Sequence, residues 1–522
     1  MTTRLRLRLR LRLPRHVVAL AAALLIAVSL IPLTATGARA ATPICISGAF
    51  QYDYQSAEDG TAKPTRTKPL RNANVELWGA EGNEDGHSLG VWGFTGVDDG
   101  SFNLCYTPTT TTSLRVVWAQ AWSQSSRLWR VLDYNAQYYT LQSPTYLHVT
   151  ASRNVGTTKP PAATARAWHA FDTINPLWWY RANPASICWS AHELDNNNCT
   201  ELNIYWADGN DKASYDPDYN QLILAGTVPD SEHTVLHEAG HFLMNRLYNG
   251  MFPKSDNCSS HYIPTVSSET CAWTEGFADS VAAYVLGDNR YVFSNGTSTE
   301  FTYGNGWQVG DQVQGNVDGS LLDLWRNVDG DWDRSIAAIT AKQPATFSAY
   351  FNTVRPAANP PLATGSAALA PLARHTIDYG PTIIGDGKYH SLTNGSGLAL
   401  ERYGSCSATS GANASLGTLD TTRSWQRWKV DANPDGTARI SDGCTQPLTL
   451  TAPSSTNGAV TLKAFDQANG YQKWQITKAN GTLRLTNPQT GWVLDSTSIT
   501  VGATAVAKPP SGANSQSWAP LA

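Results

Sequence analysis

The sequence is short of charge and shorter still of basic excess. Asp, Glu, Lys and Arg make up 15% of its 522 residues, with 38 Lys+Arg against 42 Asp+Glu. The missing basic excess argues against a nucleic-acid binder, whose footprint would be positive. A hydrophobic content of 41% excludes a disordered tail. Close Cys-x-x-Cys pairs are absent, which excludes a zinc site built from thiols. After residue 40 no apolar run is long enough to cross a bilayer. The first 40 residues differ from the rest. Six arginines are spaced up to Arg15, an apolar run follows from Val17 to Leu33, and Ala38-Arg39-Ala40 offers a small-x-small cleavage site. This reads as a secretory signal, so the protein is expected outside the cell with no stable membrane anchor after cleavage. Removing it takes away seven arginines and no acid, leaving 31 basic against 42 acidic residues and a formal charge of −11.

All eight cysteines lie beyond that segment. Chain order offers the pairs Cys45 with Cys105, Cys188 with Cys199, Cys258 with Cys271 and Cys406 with Cys444, though the sequence leaves other connectivities open. Composition divides the remainder. Residues 41–156 hold short alternating runs such as Val75-Glu-Leu-Trp78 and Leu114-Arg-Val-Val-Trp118, broken by Gly, Asp and Asn, which is the pattern of an antiparallel β-sandwich. Residues 157–166, rich in Pro, Thr and Ala, read as an extended linker. A mixed α+β region occupies 167–379. Beyond residue 380 the triplets Gln426-Arg-Trp428, Gln472-Lys-Trp474 and Gln516-Ser-Trp518 recur at intervals of 46 and 44 residues. Three blocks of that length must share one core.

The chemistry is concentrated in His237-Glu-Ala-Gly-His241. Asp230-Ser231 can cap a helix there, and Val235, Leu236, Phe242, Leu243 and Leu247 supply its apolar stripe. Two histidines four apart share a helical face and can reach one metal ion, while Glu238 is placed to act on water. Downstream, Trp273-Thr-Glu-Gly-Phe-Ala-Asp279 begins a second helical pattern with Glu275 in its first turn and Asp279 on the same face. His233 is expected at the surface or in a cleft. Asp329, Asp331 and Asp333 have no Glu at the position a calcium loop needs, and read as a solvated turn.

His-Glu-x-x-His followed by Glu-x-x-x-Asp resembles the gluzincin metallopeptidases, the thermolysin-like clan. The resemblance implies an α+β zincin domain over 167–379, with Zn²⁺ held by His237, His241 and Glu275, Glu238 as general base, and Asp279 behind a ligating histidine. The 34-residue step from His241 to Glu275 is longer than in the best-known members. Glu269 is the nearest alternative third ligand. The clan uses Tyr or His to stabilise the oxyanion; with no histidine between His261 and His375, the expectation falls on a tyrosine, Tyr303. The run Asn220–Ala225 is either the edge strand that pairs with substrate or an internal strand. Residues 41–156 loosely resemble transthyretin-like accessory domains and serve as an accessory or pro-domain. The three Gln-x-Trp triplets resemble a ricin-type β-trefoil over 380–522. In that family an Asp and an aromatic ring of the same repeat hold the sugar. The equivalent acceptor positions are Glu401, Thr451 and Asp495, so only the third repeat keeps Asp, and only the second has the ring, Phe465. No repeat has both. The expected activity is therefore a secreted zinc endopeptidase acting on proteins or glycoproteins, with a weak glycan site at most, its affinity centred on Asp495; the competing expectation is a carbohydrate-binding or adhesive protein on an inactive peptidase scaffold.

Overall fold

A computed structural model describes residues 42–193, 198–259, 261–301, 306–364, 366–379, 383–479 and 482–521. The leader over 1–40, Tyr303 and the boundary at 380 lie outside them. Among the described residues no helix is long and apolar enough to cross a membrane.

The N-terminal part is sheet-rich: β1 (Ile44–Gln55), β2 (Thr65–Pro69), β3 (Asn74–Ala80), β4 (His87–Phe94), β5 (Ser101–Tyr106), β6 (Leu114–Trp122), β7 (Gln124–Ser125), β8 (Trp129–Leu132), β9 (Thr140–Gln142), β10 (Tyr146–Val149) and β11 (Arg153–Thr158). One sheet runs β11-β1-β2 with β5 on β1, and a second runs β10-β6-β3-β4 with β9 on β6. Their inward side chains, among them Ile46, Phe50, Val75, Leu77, Phe102, Val117 and Ala119, meet in one core. Alternate burial along β1 and β6 follows the two-residue period of a half-buried strand. Residues 157–166 carry the end of β11 and the first turn of α1 (Ala162–Tyr180). Only Lys159–Pro161 lies between, because Thr157 and Thr158 pair with Ala49 and Phe50.

The next strands are β12 (Leu202–Ala207), β13 (Lys212–Asp216) and β14 (Gln221–Ala225). The five-stranded sheet is ordered β13-β14-β12-β8-β7, so β8 of the N-terminal part pairs in parallel with β12. β13 is the edge. The run Asn220–Ala225 is thus internal, and the strand facing the open side is the more polar Lys212–Asp216.

Helices α1 and α2 (Glu232–Leu247) pack against this sheet and α3 (Glu269–Leu286) packs on α2, followed by β15 (Arg290–Val292), β16 (Ser298–Glu300), α4 (Gln314–Asp323) and α5 (Asp333–Lys342). Ser231 caps α2 by accepting the Thr234 N–H, and Ser268 caps α3 by accepting that of Cys271. The second cap starts α3 four residues before Trp273, which puts Glu275 in the second turn. The hydrophobic core from Ile44 to Ile377 is continuous. A separate core, Ile383 to Trp518, belongs to the C-terminal part. There the three repeats are superimposable in their bonding. Trp428, Trp474 and Trp518 are fully buried and donate to the carbonyls of Leu400, Leu450 and Leu494. Four disulfides form in chain order: Cys45–Cys105, Cys188–Cys199, Cys258–Cys271 and Cys406–Cys444.

Candidate metal centre

Two glycines bring the site together. A Cβ on Gly240, inside His237-Glu-Ala-Gly-His241, would stand 2.9 Å from Ala278 Cα, so the bare glycine lets α3 lie directly on α2. One on Gly276 would meet the Gln314 carbonyl oxygen at 2.9 Å, which draws in α4. The result places the α3 carboxylates against the α2 imidazoles. His237 Nε2 and His241 Nε2 are 3.1 Å apart, and each faces Glu275 Oε2, at 3.3 and 3.4 Å. These three residues form a buried group. Glu269 is exposed at the start of α3 and stands outside it.

A tetrahedral zinc ion with ligand distances of about 2.0–2.1 Å holds its ligand atoms roughly 3.3–3.4 Å apart. The three separations fit that geometry. Glu275 Oε2 is buried and receives no well-aligned hydrogen bond, as expected of an atom whose partner is an ion. Behind it, the Nδ1 of His237 lies 2.6 Å from Asp279 Oδ1, and Asp279 Oδ2 accepts from Gln314 Nε2 at 2.6 Å. That fixes the ring with Nε2 towards Glu275. Burial would lift the Glu275 carboxyl, but the His241 and His237 rings reverse this and hold it well below the usual carboxylate range. Burial pushes Glu238 the other way, above its ordinary value, against the pull of both imidazoles.

Glu238 opens on two adjoining cavities. One of about 330 Å³ extends past Tyr215, His241 and Phe252; the other, of about 500 Å³, is walled by Tyr262, Ile263, Tyr291 and Phe293. Both share Ala213 of edge strand β13 and one residue that sequence reasoning passed over, His261. Its Nε2 is 3.2 Å from Glu275 Oε2 and its Nδ1 is 2.9 Å from the Cys258 carbonyl. An acceptor faces each nitrogen, and the Glu275 hydrogen bond raises the ring above its ordinary value, to about 9. The signal was present in Cys258 and Cys271: their disulfide folds the long step back so that His261 faces the site. Tyr291 stands edge-on to His237 at 5.7 Å, and burial pushes its phenol up to about 12.

Two side chains differ from expectation. His233 is buried, with Nδ1 3.4 Å from Glu58 Oε1, because the N-terminal part covers that end of α2. Asp329 is not a solvated turn residue: both its oxygens take the buried Arg355 guanidinium, at 2.8 Å each.

Residues 45–167 match the mycolysin middle domain and residues 182–376 the mycolysin C-terminal domain. The chain carries both mycolysin domains. All of the site described above lies in the second match, and a ricin-type beta-trefoil lectin domain matches residues 388–518. The mycolysin domains suggest a peptidase and the trefoil suggests carbohydrate binding. No curated protein matches the chain. Similar solved structures include the designed three-fold symmetric protein ThreeFoil (20% identity, 26% of this chain, 98% of that one, TM-score 0.24). The earthworm R-type lectin C-half in complex with GalNAc is also similar (17%, 26%, 98%, 0.22). So is an exo-beta-1,3-galactanase from Clostridium thermocellum (21%, 28%, 31%, 0.24).

In the trefoil, Glu401, Thr451 and Asp495 occupy one place in three repeats, each accepting from the Gln of its own triplet. Asp495 is 2% exposed and also meets Ser496 N–H and the Lys508 ammonium. Phe465 is 46% exposed, with the Arg439 guanidinium 4.4 Å from its ring.

Proposed function

We propose that the chain is a secreted zinc peptidase whose metal is held by His237, His241 and Glu275. The observation that carries this is the 3.1–3.4 Å triangle of their ligand atoms, backed by Asp279 on His237. Bound there, zinc would supply Lewis acidity towards a peptide carbonyl and lower the pKa of water to about 7. The chain's own residues do the rest. Glu238, raised by burial, takes a proton from water through its carboxylate and returns it to the leaving amine. Asp279 keeps the His237 tautomer fixed. His261 lines both cavities, and with Glu275 Oε2 engaged by the metal its Nε2–H would be free to stabilise the negative oxygen that develops on the carbonyl. The free edge of β13 supports an extended substrate by strand addition, and the aromatic cavity beside Glu238 receives an apolar side chain. The buried state of Asp495 supports reading the trefoil as a tether of low affinity for simple galactosides, with any contact centred on Phe465.

The test is casein hydrolysis by the secreted protein with and without a zinc chelator, alongside elemental analysis. Cleavage abolished by chelation and restored by zinc is expected. Cleavage that survives chelation, or a protein without stoichiometric zinc, overturns the reading.

A further inference from the structure

The outward face of the β10-β6-β3-β4 sheet plays no part in the site above. Val75, Leu77, Val117 and Ala119 point into the core, so the alternate residues of β3, β4 and β6 point out. Strand registers arrange them in three rungs: Phe94, Asn74 and Trp122; then Trp92, Glu76 and Gln120; then Ser88, Trp78 and Trp118. β9 extends the first two rungs with Thr140 and Gln142. Trp92 is 56% and Phe94 52% exposed, while the other three indoles are half-buried. A solvated sheet face ordinarily carries polar residues, and a large apolar patch framed by polar ones marks a binding surface. At the Trp118 end the face is walled: Gly86 lies so close that a Cβ there would fall 2.4 Å from the ring. Glu81 anchors that loop by accepting the N–H groups of Thr109, Thr110 and Thr111.

Charge selects the occupant. The one ionisable group on the rungs, Glu76, is 1% exposed, with its oxygens taken by Trp78 Nε1 and Ser88 Oγ. What remains is neutral, rings alternating with amides, and the wall beside it carries Glu81, Glu84 and Asp85 against the one guanidinium of Arg115, a net negative charge. An anionic membrane, nucleic acid or acidic glycan would be repelled. Phe94 and Trp122 sit two strand spacings apart, roughly 10 Å, which is about the length of two linked pyranose rings. We propose that this face binds an uncharged polysaccharide, with sugar rings stacked on Trp92, Phe94 and Trp122 and hydroxyls bonded to Gln120 and Gln142. It is a second glycan surface, at the opposite end of the sequence from the trefoil.

The full chain is tested for retention on microcrystalline cellulose, chitin and insoluble β-1,3-glucan, in parallel with Trp92→Ala/Phe94→Ala and the exposed control Tyr219→Ala. Retention of the parent on at least one polymer is expected, weakened roughly tenfold or more in the double variant and unchanged in Tyr219→Ala. Should the double variant fail to fold, Trp92→Gln alone is read in the same way. No retention on any polymer overturns the proposal, as does retention that the face variants leave intact. So does a parent dimer that the face variants convert to monomer, since a second copy would then be the occupant.

Discussion

Replacing His261 by glutamine tests the least expected part of the site. The ring is on the loop closed by Cys258–Cys271, 37% exposed at the side chain, and outside the buried His237–His241–Glu275 group. The substitution therefore leaves fold and zinc content in place. What it removes is a ring N–H on the wall of the cavities that Glu238 shares, one that faces Glu275 Oε2 until the metal takes that oxygen. Loss of one preorganised oxyanion donor costs about 10²–10³ in kcat, or roughly 2.7–4 kcal/mol. Partial exposure lets water replace some of that stabilisation, so the lower end, a drop of about a hundredfold, is expected. Because the interaction strengthens only as the carbonyl oxygen becomes negative, KM should move by less than about threefold. Initial rates on a quenched fluorescent peptide, with zinc measured on the same samples, give both numbers. A kcat within about fivefold of the parent refutes the donor role, and loss of zinc would instead make His261 a ligand.

Other perturbations separate the remaining roles. Glu238→Gln should keep zinc and lose activity by about 10²–10⁴-fold, as expected of a base that never touches the ion. Asp279→Asn should weaken zinc binding by about 10–100-fold, read by competition with a chromophoric chelator. Arg355→Ala leaves the buried Asp329 carboxylate unpaired, and urea unfolding should show a loss of about 3–5 kcal/mol. Glu232 governs part of the acid sensitivity: burial would raise it, but the His169 hydrogen bond and the Lys68 charge hold it well below the usual range. A depressed carboxylate contributes stability above its unfolded pKa of about 4.3 that disappears as pH falls towards the folded value. Thermal midpoints below pH 4 should therefore drop more steeply in the parent than in Glu232→Gln; parallel slopes would contradict this.

What the sequence disclosed was local. His237 and His241 are spaced by one helical turn, and Glu275 and Asp279 by another, so periodicity places each pair on a face. The Gln-x-Trp triplets disclose the trefoil because the same bond, from indole to the carbonyl 24 to 28 residues earlier, recurs in each repeat. Contacts between distant segments were not legible. Nothing in Trp129–Leu132 announces that it pairs with Leu202–Tyr205, nor that Lys212–Asp216 forms the edge in place of the more apolar Gln221–Ala225. Asp329 looked solvated among its acidic neighbours, since its partner lies 26 residues on.

The shared β8–β12 pairing also decides which parts of the gene can travel. The trefoil has a core of its own, Ile383 to Trp518, and should therefore be separable as a unit. The N-terminal strands are not. A chain starting at residue 157 would uncover one side of β12 and leave Asp230 without Lys63 and α2 without the Glu58 carboxylate that accepts its first N–H groups. Recombination, or a processing protease, that severed this part would deliver a metal helix with its leading end unsupported, so the two mycolysin domains should be inherited as one unit while the lectin is exchanged freely.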